Sequence, residues 1–507
     1  MKKTIINKVL PVLSLAALSV LPGCDKWFDV TPSSEIRKQQ HYSTVKGFQQ
    51  TLTGCYISMV GEPLYGKSLT WHMPEVLAHQ YLETSNPTDR AYYNHRYKEE
   101  ATVVSSLEQT WAKMYNVIVN ANDALDELEV KKETLQPLEY GILKGEFLAI
   151  RAQLHFDLLR LYGYGDYAHR AGTLDNKPTL PYVTRLYKDT ERQYTGKEYY
   201  QMLTKDLGEA EALLKEYDPI ANTEVDKTSF SIANVEGYYN KRHLHLNYYA
   251  VKAIEARVHL WFGTEEACQR AKEAALEVVT AAEDGTLNKN RNIETNIHLM
   301  KAGEIKGQNL SYTPEALFCM DAPKLNTSTA VYLKPSYRVG DAYAFAISSS
   351  RIKSLFGKDE KDVRLTQSLV ENTSTKGFVP IKYANPDHAN NRINIIRLPE
   401  VYYILAEASA RLGQTGEAIQ VLNKIRTSRG LSAPLDDGLT SAQVMEEIYA
   451  EYEREFISEG VLFFAQKRLG KKYIPTQGEG QSGQKEMSDK EYVLPFPNFE
   501  LQNGRIQ

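Results

Sequence analysis

Residues 251–278 read VKAIEARVHLWFGTEEACQRAKEAALEV, and this stretch decides the fold. Val251, Ile254, Val258 and Phe262 recur at three- and four-residue steps, which places them on one face of a helix. Gly263 stops that helix, a short turn follows, and Ala267, Ala271, Ala274 and Val278 open a second stripe. The small residues of the second stripe let two backbones approach closely, so the pair reads as an antiparallel helical hairpin. Residues 401–425 repeat the design. Val401, Ile404, Ala408 and Leu412 run to Gly413, and Ala418, Val421, Leu422 and Ile425 return. Such a hairpin buries its apolar face only against a neighbour, as tetratricopeptide-type repeats do.

Three more helical stripes surround these hairpins. Leu107, Trp111, Met114, Ile118, Ala121, Leu125 and Leu128 form one, and Leu143, Phe147, Ile150, Leu154, Leu158 and Leu161 another. Ile448, Tyr452 and Phe456 form the last. The expected class is therefore mainly all-α, with tetratricopeptide-like hairpins. From about 287 to 391 the pattern gives way to a loop-rich insert, with a short strand at Gly377–Tyr383. Loops of that length inside a helical protein are usually functional. Residues 471–489 are polar and Gly-rich and read as a flexible loop.

At 507 residues, 42% hydrophobic and 24% charged, the chain has the profile of a folded protein with one large domain or two to three ordinary ones. Its formal charge is −4, and becomes more negative if a leader carrying Lys2, Lys3 and Lys8 is removed. That balance excludes nucleic acid as the expected partner. Tyrosine is abundant, 33 against 15 Phe and 4 Trp, and its flat face and hydroxyl suit wet binding surfaces as well as cores.

The first 23 residues carry lysines, an apolar run from Val9 to Leu21 and small residues, which is the order of a secretory signal. Leu21-Pro22-Gly23-Cys24 resembles a bacterial lipobox, although proline at its second position is atypical. Cys24 is then the acylated N-terminus, residues 24–44 a tether, and residues 45–507 a single body on the membrane surface. Several acyl chains would hold it there, since each buried methylene contributes about 0.8 kcal/mol. Cys55, Cys268 and Cys319 remain, an odd number with no zinc spacing, and read as buried thiols.

Enzyme signatures are absent from the sequence: no HExxH, GxSxG, Walker A or CxxC occurs. Gly478, Gly480 and Gly483 satisfy GxGxxG but lack the flanking strand and helix of a dinucleotide site. His243, His245 and His259 read as packing or solvated histidines. No metal or cofactor is expected. Carboxylate pairs for glycoside hydrolysis stay open among 64 acids, with none singled out.

The strongest binding signal is aromatic. Trp71, His72, Tyr81, Tyr92, Tyr93, His95, Arg96 and Tyr97 lie within 27 residues with no helical or alternating period. Tyr332, Tyr337 and Arg338 form a second group in the insert. Flat faces beside Arg96 or Arg338 suit a sugar ring or a peptide. Loop tyrosines also seal hydrophobic gaps, and both uses stand at this point.

Several motifs occur in one order along the chain: Trp27-Phe28-Asp29-Val30, Asn120-Ala121-Asn122, and Glu146 to Ala152 running on to Gly163. Arg397-Leu398-Pro399-Glu400-Val401, Leu422 to Arg426, Glu453-Arg454-Glu455-Phe456, Glu459-Gly460 and Leu494-Pro495-Phe496-Pro497 complete them. In these the chain resembles the SusD/RagB family of Bacteroidota outer-membrane lipoproteins, over nearly its whole length. Two departures are Val461, where a polar residue is common, and the altered turn Gly163-Tyr164-Gly165-Asp166-Tyr167. The resemblance implies a non-catalytic lid on a SusC-like TonB-dependent transporter, capturing an oligosaccharide or, as in the RagB branch, a peptide. It places the ligand at the loops before the first long helix and at the insert, where Trp71, Tyr92, Tyr93, His95, Arg96, Tyr97, Tyr332, Tyr337 and Arg338 fall. A repeat scaffold binding only protein partners and a secreted hydrolase are the competing readings.

Overall fold

The structure, a computed structural model of the chain, describes residues 33–186, 190–224, 227–290, 293–333, 345–357, 359–372, 377–383, 391–478 and 481–506. Cys24, Tyr337 and Arg338 lie outside the described residues. The chain divides into two units, residues 1–48 and 49–507. In the first, Ser33–His41 is helical and the rings of Tyr42 and Phe48 pack at 4.7 Å.

The second unit is a chain of packed helices. Ala101–Lys131 lies against Pro137–Tyr162, which packs on Gly196–Tyr217, and that helix packs on Tyr248–Phe262. Tyr248–Phe262 turns back as Glu265–Glu283, which meets Leu398–Arg411, and this in turn packs on Thr415–Ser428 and Ser441–Glu455. Both hairpins expected from the sequence are present, with Gly263 and Gly413 at positive φ where each first helix ends. The alanine stripe is buried: Ala267, Ala271 and Ala274 are each no more than 3% exposed. The fold is mostly helical, as the periodicity predicts.

One helix of the array is not among the sequence stripes. Gly196–Tyr217 buries Tyr199, Leu203, Leu207, Ala210 and Leu214, but Asp206 interrupts that face. Arg151 explains it. Its guanidinium grips Asp206 with two hydrogen bonds of 2.7 Å and also donates to Asn122 Oδ1 at 3.0 Å. A buried carboxylate is tolerable when paired in this bidentate way, and here it locks three helices together.

Other motif residues do similar work. Glu146 accepts from Arg242 and from the Tyr56 hydroxyl, each at 2.7 Å. Arg257 binds Glu400 at 2.7 and 2.6 Å, tying the two hairpins. Arg397 reaches Glu459 at 2.7 Å, Glu315 at 2.9 Å and Glu455 at 2.5 Å, and Arg429 shares Glu315 and Glu455. These groups are almost wholly buried, so the insert and the C-terminal helix are joined by charge rather than by apolar surface alone.

The insert is more ordered than its composition suggests. Ala316–Asp321 pairs antiparallel with Arg392–Arg397. Gly377–Pro380, within the stretch expected as a strand, is the middle strand between Ile347–Ser348 and Leu369–Asn372. Residues 471–489 are a correction to the flexible-loop expectation, because Tyr473–Gly478 and Gln481–Glu486 form an antiparallel hairpin. Buried Ile474 anchors it, and the Gln477 amide donates to the carbonyls of His79 and Gln80 at 2.8 Å. Cys55, Cys268 and Cys319 are free and buried. Among the described residues no helix is long and apolar enough to cross a membrane.

Candidate functional site

Local sequence builds the region before the first long helix as a run of tight turns. The Trp71 indole donates to Gly66 O at 3.1 Å and Thr70 Oγ1 to Tyr65 O at 2.8 Å, folding residues 65–71 on themselves. A short helix, Met73–Leu77, follows. Asn86 then caps Pro87–Tyr93, its side chain accepting from the amides of Thr88 and Asp89, with Pro87 pre-set for the first turn. His79 and His95 close these two short helices in the left-handed region, at φ 56° and 55°.

Most of the expected aromatic surface is interior, which corrects the picture of an exposed ring cluster. Trp71 is fully buried, with ring contacts to His72 and Tyr332. Tyr93 stacks on His79, 3.9 Å between centroids and 7° between planes, and its hydroxyl accepts from the Gln477 amide at 2.9 Å. His95 is buried near His79, and burial holds both imidazoles below their usual range, His79 at about 4. The Tyr97 hydroxyl donates to Glu491 O. Arg96 is exposed and pairs with Glu99 at 3.4 Å. Rings without a regular period pack here because short helices and turns, not one long element, supply the wall.

Two of the expected residues do line a cavity. Tyr92 and Tyr332 border a cleft of about 410 Å³ together with Glu62, Lys67, His72 and Asp89. Ser106 and Gln109 of the first long helix close one side. Tyr332 is half-buried, with Trp71, His72 and Phe345 packed around its ring and Lys67 Nζ 4.6 Å from the ring centre. Lys67 also donates to its hydroxyl at 2.9 Å. His72 Nε2 lies 3.0 Å from Asp89 Oδ1. Glu62, Lys67, Asp89, Ser106 and Gln109 escaped the sequence reading; the cap Asn86-Pro87-Thr88-Asp89 was the signal that would have found Asp89.

A larger cleft, about 660 Å³, lies on the helical array between Glu283, His298, Tyr402 and Lys424. Its polar groups serve one another: Lys424 and Tyr402 both donate to Glu283, at 2.7 and 3.1 Å, and Asn423 accepts from Leu435 N. Among the described residues, none of its lining side chains has a buried polar atom without a hydrogen bond. The smaller cleft differs. The Tyr92 hydroxyl, Asp89 Oδ2 and His72 Nε2 are buried there without a well-directed hydrogen bond among the described residues. No group of three or more His, Cys, Asp or Glu among the described residues is arranged to hold a metal ion. His243 and His245 contact Arg392 and Glu146, and His259 contacts Tyr200.

Comparison with known proteins follows the fold. Residues 26–228 match a family model described as starch-binding associating with outer membrane, and residues 356–502 match the SusD family model. A SusD-like protein of Formosa agariphila is 22% identical over 92% of each chain. A SusD superfamily protein from Bacteroides thetaiotaomicron superposes with a TM-score of 0.69 at 21% identity, covering 92% of this chain and 99% of that one. A SusD-like carbohydrate binding protein from Bacteroides vulgatus gives a TM-score of 0.70 at 18% identity, covering 91% and 97%. Two family models on separate halves, whole-chain relatives and a shared helical array agree: the chain belongs to the SusD/RagB family.

Proposed function

We propose that the protein is a cell-surface carbohydrate-binding lipoprotein that captures oligosaccharide in the Tyr332 cleft and passes it, unaltered, to a partner TonB-dependent transporter. The observation that carries the reading is the cleft itself: an aromatic ring held from several sides beside buried polar atoms that lack a well-directed hydrogen bond among the described residues. A sugar ring presents an apolar face and a rim of hydroxyls, which is the complement of such a wall. The family description as starch-binding and outer-membrane associated, and the carbohydrate binding named for the Bacteroides vulgatus neighbour, support the ligand class. The Cys24 anchor, residues 24–44 as a tether and a single body from residue 45 belong to the same proposal.

Binding of the purified protein to immobilised glycans and peptides tests the ligand class, and copurification with a β-barrel transporter from native outer membranes tests the partner. Glycan retention without any change in glycan length is expected. Binding of peptides alone, or shortening of the bound glycan, would overturn it.

A further inference from the structure

The floor of the cleft departs from the usual completeness of a protein interior. Buried polar atoms are nearly always hydrogen-bonded, because leaving one unpaired costs about 1–3 kcal/mol. Here Asp89 Oδ2 has no hydrogen-bond partner among the described residues, and the Tyr92 hydroxyl and His72 Nε2 beside it lack a well-directed one. The three side chains come from one short stretch, 3%, 1% and 6% exposed respectively, and all border the same cavity. The His72 and Tyr92 rings meet edge to face at 6.4 Å, and His72 Nε2 is 3.0 Å from the Asp89 carboxylate. Burial pushes the Tyr92 hydroxyl up to about 12, so it stays a neutral donor and acceptor.

The charge around this floor is equally specific. Among the described residues that line the cleft, two carboxylates, Glu62 and Asp89, face one ammonium, Lys67, which is engaged with Tyr332. Arg96, one of the residues expected from the sequence at the ligand, lies elsewhere and pairs with Glu99. A ligand group that donates a hydrogen bond satisfies Asp89 Oδ2, and one that also accepts satisfies the Tyr92 hydroxyl, with His72 Nε2 held against the other oxygen of Asp89. A hydroxyl does both; an ionised carboxylate has no proton to donate to Asp89 and can only accept, bringing like charge against it.

Resting on the carbohydrate-binding reading, we infer that Asp89, Tyr92 and His72 form a hydroxyl-reading subsite that selects neutral sugar residues and rejects uronic acids. Asp89 takes a hydroxyl proton donor, Tyr92 completes the hydroxyl's remaining bond, and His72 is held against the other oxygen of Asp89. Tyr332 offers the apolar contact above.

A glycan array carrying neutral oligosaccharides, uronic-acid oligosaccharides and the same uronic-acid chains after reduction of their carboxyl groups to alcohols tests this on the full chain. Binding confined to neutral and carboxyl-reduced chains is expected. Asp89→Asn should weaken the best neutral ligand about tenfold or more, and Tyr92→Phe, which removes only an oxygen, should weaken it severalfold. Circular dichroism and thermal melting of both variants separate loss of binding from loss of fold. Binding of uronic chains as tight as that of their reduced forms, or full affinity in a folded Tyr92→Phe and a folded Asp89→Asn, would overturn the subsite while leaving carbohydrate binding intact. Silence across every glycan would overturn both.

Discussion

Lys67 Nζ donates a 2.9 Å hydrogen bond to the hydroxyl of Tyr332, joining the first loop of the cleft to the insert 265 residues later. Neither segment makes the cleft alone. The helical array holds the two apart in sequence and together in space, and the charge network around Arg397 fixes the insert onto that array.

Tyr332 and Trp71 should respond oppositely to truncation, because one borders the cleft and the other supports it from beneath. Tyr332→Ala should lower glycan affinity about tenfold with little change in unfolding free energy, as read by titration calorimetry and urea melts. Trp71 is fully buried, so Trp71→Ala should cost about 3–5 kcal/mol of stability.

Arg397 is held by three buried carboxylates, Glu315, Glu455 and Glu459. Removing it leaves Glu315 and Glu455 to Arg429 and Glu459 to Lys382, with less positive charge than the buried carboxylates need. Arg397→Met should destabilise the protein by about 3–5 kcal/mol in denaturant melts, and glycan binding by the folded fraction should persist.

His155 is wired as a neutral ring. Its Nδ1 donates to Arg151 O and its Nε2 accepts from Val183 N, both at 2.9 Å, and burial lowers its pKa to about 3. His79 and His243 are also lowered by burial, to about 4. The unfolded chain binds these protons near pH 6.5 and the folded chain does not, so stability falls as pH drops from about 6.5 toward 4. Glu75 acts oppositely: burial raises it to about 8, so its share declines as pH rises from about 4.5 to 8. Each neutral histidine contributes a slope of up to about 1.4 kcal/mol per pH unit. Denaturant melts from pH 7 to 4 should show the loss, and Glu75→Gln should steepen it.

Gly460 stands at φ 74°, and a Cβ there would meet Thr70 O at 2.6 Å and Leu69 O at 2.7 Å. Its amide also donates to Glu75 at 2.7 Å. Gly460→Ala should therefore cost about 2 kcal/mol or more, visible as a lowered melting temperature. The adjacent Val461, which is only partly buried, should accept Val461→Thr with a far smaller change.

The helical hairpins were legible because their apolar residues keep a 3.6-residue period and their glycines sit at the turns. Gly196–Tyr217 was not, since Asp206 on its inner face makes sense only once Arg151 lies opposite. The Tyr473–Glu486 hairpin was hidden for a related reason: polar side chains such as Gln477 are buried there against carbonyls of a distant segment. At the candidate cleft, composition pointed to a segment that borders it but not to most of the side chains that line it. Trp71, Tyr93, His95 and Tyr97 are aromatic and interior, whereas Glu62, Lys67 and Asp89 reach the cleft through a fold that no local pattern records.

The most direct test is a crystal structure of the protein with the glycan it binds best on the array. Density for a sugar ring against Tyr332, with a hydroxyl within hydrogen-bond distance of Asp89, is the predicted result. A sugar seated instead in the Tyr402 and Lys424 cleft, with the Tyr332 cleft holding only water, would contradict the account.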